Sequence, residues 1–211
     1  MYKYRSAFEK IKSIEEIAYP LVERRIREFE ALGKYGDELD LFSELSFCVL
    51  TANWSAERGI KAQESIGKAN FAKLSFEELL EKLKEVGHRY PISRARFIVE
   101  NRRLIGRLRS IWEKPSREAR KILVGEAKGI SWKEASHFLR NTGKLDLAIL
   151  DKHILRFLFN EGIIKEMPKG WTQRKYEEIE EKFVELSSLL EKTPGEVDLY
   201  IWFLLKGKVE K

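Results

Sequence analysis

The chain has 211 residues, 43% of them hydrophobic, enough for one large or two small folded units with a real core. Lysine and arginine (40) outnumber aspartate and glutamate (34), and the net charge of +6 favours a polyanionic partner. The single cysteine, Cys48, excludes an intrachain disulfide framework or a cysteine-held iron–sulfur cluster; the three histidines lack zinc-ligand spacing, so no metal is expected; and the absence of a long apolar run predicts neither a membrane span nor a secretory leader, hence a cytoplasmic protein.

Helical periodicity runs from end to end. Helices are expected at about 14–32 (with Pro20 as a kink or early break), 37–52, 55–69, 75–86, 92–113, 115–127, 132–141, 151–160, 172–191 and 194–206. In "SFEELLEKLKEVG" the apolar Phe76, Leu79, Leu80, Leu83 and Val86 share one face, Ser75 with Glu78 makes a capping box, and Gly87 closes the helix. Further capping boxes are expected at Ser13/Glu16, Ser131/Glu134 and Thr193/Glu196. The stretch after Asp37 is apolar on most sides in its second half, as the central helix of a bundle must be. No segment alternates like a strand and no linker separates two halves, so the expected fold is all-α, two helical lobes with a groove between them.

Between His88 and Arg109 lie seven arginines (89, 94, 96, 102, 103, 107 and 109) against one acid, Glu100. Such a segment reads as the electrostatic footprint of a polyanion, or as the solvated face of a charge-rich helix.

The unit "SREARKILVGEA", "KGIS", "WKEASHFLRNTG" is helix, glycine turn, helix. Helix N-termini and turn amides brought together in this way receive a phosphate oxygen without any base contact, although an ordinary helical corner has the same outline. With Ser131 as N-cap, Lys133 stands in the first turn, where the helix dipole disfavours an ammonium ion; the neutral amine is the form that attacks carbon. Downstream, "LAILDKHILRFLF" is an apolar run entering Asp151, a plausible N-cap. Lys128 and Asp146 repeat the Lys133-to-Asp151 spacing, but Lys128 precedes the turn glycine and Asp146 lacks the Asp-x-His context.

Hairpin glycine, lysine and Asp-x-His together resemble the helix-hairpin-helix DNA glycosylases of the endonuclease III superfamily, most closely the archaeal-type 8-oxoguanine DNA glycosylase/AP lyases. "LTANWSAERG", "VGHRYPISRARFI" and the lysine-ended "WFLLKGKVEK" are similar to the same group. The resemblance implies a bifunctional enzyme on double-stranded DNA. Lys133 would attack the anomeric carbon of the damaged nucleotide and Asp151 would assist base expulsion; a Schiff base and β-elimination would then cut the strand, with no metal or organic cofactor. It implies DNA contacts from Lys128, Gly129, Ser131, Arg94 and Arg96. Asn53 would fill the vacated space or meet the opposite cytosine, or serve only as a helix C-cap. Arg89 would be a wedge or a phosphate contact. For the base itself it implies Lys211 with its terminal carboxylate, while Trp202 stacks on the base or belongs to the core.

The expected division is a lobe over 41–141, with the hairpin at about 115–141, and a second lobe from 1–40 plus 142–211, working as a monomer. The chain departs from the superfamily pattern by carrying Ser131 where a second hairpin glycine is usual and by lacking the four-cysteine cluster. A glycosylase for another oxidised base, a non-catalytic hairpin module and a helical scaffold are the alternative readings.

Overall fold

A computed structural model describes residues 2–211, and among them there are twelve α-helices and no strand. They are α1 (Arg5–Tyr35), α2 (Glu38–Thr51), α3 (Ala56–Ile66), α4 (Lys68–Lys73), α5 (Phe76–Glu85), α6 (Pro91–Asn101), α7 (Leu108–Trp112), α8 (Ser116–Glu126), α9 (Trp132–Asn141), α10 (Lys152–Asn160), α11 (Gln173–Leu189) and α12 (Pro194–Lys206). The expected all-α class holds. Two expected helices are divided: Gly67, at φ 80°, separates α3 from α4, and a 3-10 turn ending before Gly106, at φ 88°, separates α6 from α7. Pro20 interrupts nothing, because it lies on the exposed side of α1, where the carbonyl it leaves unbonded meets water. Ser13 is likewise no cap: it sits inside α1 and donates to Lys10 O at 2.8 Å. The other three capping boxes form, and Asp37 with Asp40 adds one at the start of α2.

The helices group into two compact units, one from residues up to Phe29 together with Lys144–Lys211, the other from Glu30–Gly143. The first cut falls inside α1 rather than after residue 40. The physical cause is local to the second unit: at Gly33 a β-carbon would stand 1.9 Å from Thr142 O, so the end of α1 packs directly on the end of α9, and Trp112 Nε1 donates to the same carbonyl at 3.0 Å.

In the 30–143 unit α2 is the axis, buried continuously from Leu41 to Thr51 and surrounded by α3, α4, α6, α7 and α9. A helix apolar on every side is stable only when fully wrapped, and its one buried acid, Glu44, is met by Asn141 Nδ2 at 2.6 Å. The arginine-rich segment binds largely inward here. Arg102 donates to Phe71 O and Leu74 O, Arg103 to Glu126 O, and Arg109 to Gly33 O and Gly36 O at 2.5 Å each; Arg107 pairs with Glu126 at 2.8 Å. Guanidinium forks are thereby closing helix ends, whose last carbonyls lack intrahelical donors. Their hydrogen bonds are engaged, yet carbonyl partners do not cancel their charge.

In the other unit α10, α11, α12 and the first part of α1 enclose Tyr4, Ile11, Phe157, Tyr176, Phe183 and Tyr200. The segment 145–151 crosses this core without helical bonds, so α11 side chains satisfy its backbone. Tyr176 OH donates to Ala148 O at 2.8 Å and accepts from Leu150 N at 3.2 Å; Glu180 Oε1 accepts from Ala148 N at 3.0 Å. This segment delivers Asp151. Tyr176→Phe is expected to lower unfolding free energy by about 1–3 kcal/mol, measured by urea denaturation, because a buried donor and a buried acceptor lose their partner together.

Candidate active site

In the 30–143 unit, α8 and α9 form the expected hairpin around residues 127–131. Gly129 takes φ 74°, and a β-carbon there would meet Phe97 Cδ2 at 2.5 Å, so both the conformation and the space demand glycine. Asn101 pins the turn from α6: its Oδ1 accepts from Lys128 N at 2.7 Å and its Nδ2 donates to Lys128 O at 2.9 Å. The Lys128 amide is therefore engaged, while the N–H of the half-buried Gly129 is given no partner among the described residues. An unpaired amide at a tight turn between two helices suits an anionic oxygen. Gly129→Ala should weaken binding to duplex DNA at least about tenfold in a salt-controlled titration, since the turn must shift to relieve φ strain and the Phe97 clash.

Lys133 occupies the first turn of α9, its side chain 20% exposed, with Nζ 3.0 Å from Glu134 Oε1. The amine is thus paired rather than alone at a positive helix end. The expected cap explains this: Glu134 turns back so that its Oε2 accepts from Ser131 N at 3.3 Å and from the Ser131 hydroxyl, which leaves Oε1 beside the lysine. Burial works to raise the Glu134 carboxyl, but the Lys133 charge and the bonds from Ser131 and Lys133 outweigh it and hold it below the usual carboxylate range. Trp132 packs beneath this turn over the guanidinium of Arg120, at 5.4 Å.

The remaining DNA candidates of this unit fall into two groups. Lys128, Ser131, Asn53, Arg89 and Arg96 are exposed. Arg94 is not: it is 8% exposed, donates from Nη2 to Ala52 O at 2.6 Å, and lies against the rings of Tyr90 and Phe97. Asn53 follows the C-cap of α2 with φ 62°, the left-handed position that ends a helix, so the C-cap expectation describes its backbone and leaves its side chain outward.

In the other unit Asp151 is the N-cap of α10, its Oδ1 accepting from His153 N and Ile154 N at 2.8 Å each. Oδ2 takes no part in the cap. The His153 ring lies 5.0 Å from the half-exposed Trp202. Burial holds the imidazole below its ordinary pKa against the opposing charge of Asp151, with Lys206, Lys152 and Arg156 adding to the lowering. Lys211 is partly buried at the chain end, where Arg25 Nη2 reaches Val209 O at 3.4 Å. Sequence reading had not marked Glu134 beyond its cap, nor Asn101, Phe97 or His88. Only Glu134 carried a local signal, its N3 place in the capping box.

A pinned glycine turn between two helices, with a lysine in the first turn of the second, defines a helix-hairpin-helix protein. A family model described as 8-oxoguanine DNA glycosylase matches residues 22–192. The 8-oxoguanine DNA glycosylase/AP lyase of Thermotoga petrophila is 57% identical over 203 residues, spanning 96% of this chain and 98% of the relative. That of Methanocaldococcus jannaschii is 45% identical over 207 residues, spanning 95% and 99%. Among solved structures, the Thermotoga maritima 8-oxoguanine DNA glycosylase superposes with TM-score 0.96 at 56% identity, covering 98% of this chain and 99% of that one. The M. jannaschii 8-oxoguanine glycosylase/lyase in complex with a 15mer DNA containing 8-oxoguanine gives TM-score 0.94 at 42% identity, covering 98% and 100%. The chain belongs to the 8-oxoguanine DNA glycosylase family.

Proposed function

We propose that the chain removes 8-oxoguanine from double-stranded DNA and then cleaves the abasic strand, as a bifunctional glycosylase/AP lyase. The observation that carries this reading is the amine of Lys133 at the first turn of the hairpin's second helix, in a chain of this family. The damaged nucleotide is extruded from the duplex at a cost of roughly a few kcal/mol. The Lys133 amine, neutral at the moment of attack, bonds to C1′ as the glycosidic bond breaks and the base departs with the electron pair. Asp151, through Oδ2, stabilises the positive charge that develops on the sugar. Ring opening gives a Schiff base, loss of a C2′ proton expels the 3′ phosphate, and water releases the enzyme. Amine and carboxylate supply every group these steps need, so the chemistry calls for no metal or organic cofactor.

Phosphates are held by Gly129, Lys128 and Ser131 at the turn and by Arg89 and Arg96, with Arg94 acting from beneath the surface. Asn53 serves the strand opposite the lesion, Trp202 and Lys211 the extruded base. The protein works as a monomer in the cytoplasm, on nucleoid DNA; no helix among the described residues is long and apolar enough to cross a membrane.

The test is a single-turnover assay on duplexes bearing 8-oxoguanine, guanine or an oxidised pyrimidine opposite the natural partner. Base release and a 3′ nick confined to the first duplex is the expected result. Release only from the oxidised pyrimidine overturns the substrate, and salt-sensitive binding without any release overturns the enzyme.

A further inference from the structure

One buried imidazole has no part in the chemistry above. His88, 5% exposed, lies between the end of α2 and the turn that opens α6, and both of its ring nitrogens are engaged. Nδ1 accepts from Tyr90 N at 3.0 Å, which forces the ring proton onto Nε2, where it is donated to Leu50 O at 3.0 Å. The ring also lies against Trp54, centroids 4.2 Å apart. In the first turns of α6, Arg94 Nη2 donates to Ala52 O at 2.6 Å. The two side chains therefore grip the carbonyls of Leu50 and Ala52 and the ring of Trp54, enclosing Asn53 at φ 62°. Arg89, on the gripping turn itself, points outward with its guanidinium 5.2 Å from the Tyr90 ring.

A left-handed non-glycine residue is a strained backbone position that persists where neighbours over-determine it. Here the backbone bond from Trp54 N to Thr51 O at 3.1 Å closes the turn, and the His88–Arg94 pair, which also carries the neighbouring arginine, fixes the carbonyls on either side. Histidinium would direct a second donor at the Tyr90 amide, so the contact exists only for the neutral ring. Burial disfavours that cation first, and the nearby Arg94 charge adds to it against the opposing Leu50 carbonyl; Glu134 is the acid that faces Arg94 in turn.

We propose that His88, backed by Arg94, is a positioning residue that locks Asn53 and Arg89 in fixed relation to one another, and that this lock sets the preference for the nucleotide opposite the lesion. The inference rests on the reading of Asn53 and Arg89 as groups that serve the opened duplex. Loss of the His88 ring bonds acts on duplex selectivity and not on the amine, since the hairpin is pinned by Asn101 and the Lys133 turn by Ser131 with Glu134.

The experiment measures single-turnover excision of 8-oxoguanine opposite cytosine and opposite adenine, with borohydride trapping on a single-stranded abasic oligonucleotide as the control. The variants are His88→Phe, which keeps the ring against Trp54, His88→Gln, which keeps a donor for Leu50 O, Asn53→Ala, and the double variant His88→Phe/Asn53→Ala. His88→Phe is expected to reduce the cytosine-to-adenine ratio about tenfold while trapping on the single strand changes less than about twofold. His88→Gln should recover part of the ratio, and the double variant should be no worse than its more damaging single. Equal loss on duplex and single strand would show a purely structural role and overturn the proposal. So would an unchanged ratio in His88→Phe when Asn53→Ala lowers it. An unchanged ratio in Asn53→Ala instead removes the reading of Asn53, and the proposal falls with it.

Discussion

Lys133→Gln is expected to abolish the borohydride-trapped adduct with a duplex carrying 8-oxoguanine, and to slow strand cleavage by at least about a thousandfold. The substitution is mild for the fold. Glutamine keeps a hydrogen-bond donor within the turn that Glu134 shares with Ser131, so the buried carboxylate, 7% exposed, retains partners. Lys128→Gln is the matched control, removing the same charge five positions earlier. Lys128 is exposed and its backbone, not its amine, is what Asn101 holds. That variant should trap normally at saturating protein, bind DNA a few-fold more weakly, and show a salt slope smaller by about one. Loss of the adduct in Lys128→Gln with retention in Lys133→Gln would reverse the assignment of the nucleophile.

Asp151→Asn separates two duties of one carboxyl group. As N-cap of α10 the residue uses only Oδ1, and asparagine caps as well as aspartate, so the thermal midpoint should move by no more than a few degrees. On the proposed mechanism the charge that steadies the sugar cation is lost, and excision should fall by about 10²–10⁴-fold. Asp151→Ala should lose the same activity and, in addition, about 1 kcal/mol of stability, because the His153 and Ile154 amides are then uncapped. Calorimetry beside single-turnover kinetics distinguishes the two variants. Full activity in Asp151→Asn would leave the aspartate as a cap alone.

The division between what could be read in advance and what could not follows the range of the forces involved. All-α character, the start of α9 at Trp132, the hairpin turn and the capping boxes at Ser75, Ser131 and Thr193 are written within a few consecutive residues, because helix periodicity and capping are contacts over three or four positions. The lysine at the turn and the aspartate before α10 belong to the same class of local signal.

Tertiary structure alone decided how the arginines are used and what holds the loops. Arg94 and Ala52 are 42 positions apart, His88 and Leu50 38, Asn101 and Lys128 27, and Tyr176 and Ala148 28. No local pattern selects a carbonyl at that distance. Arginines that read along the chain as a single basic face became, in Arg102, Arg103 and Arg109, donors to helix-end carbonyls, because a folded helix end leaves its last carbonyls bare and the fork of a guanidinium fits them. The sequence by itself thus determined the all-α class, the hairpin, and the placing of Lys133 and Asp151 at helix starts. Packing decided which polar groups are engaged and which are left outward, since the free energy of burying a polar group depends on the partner the fold brings to it.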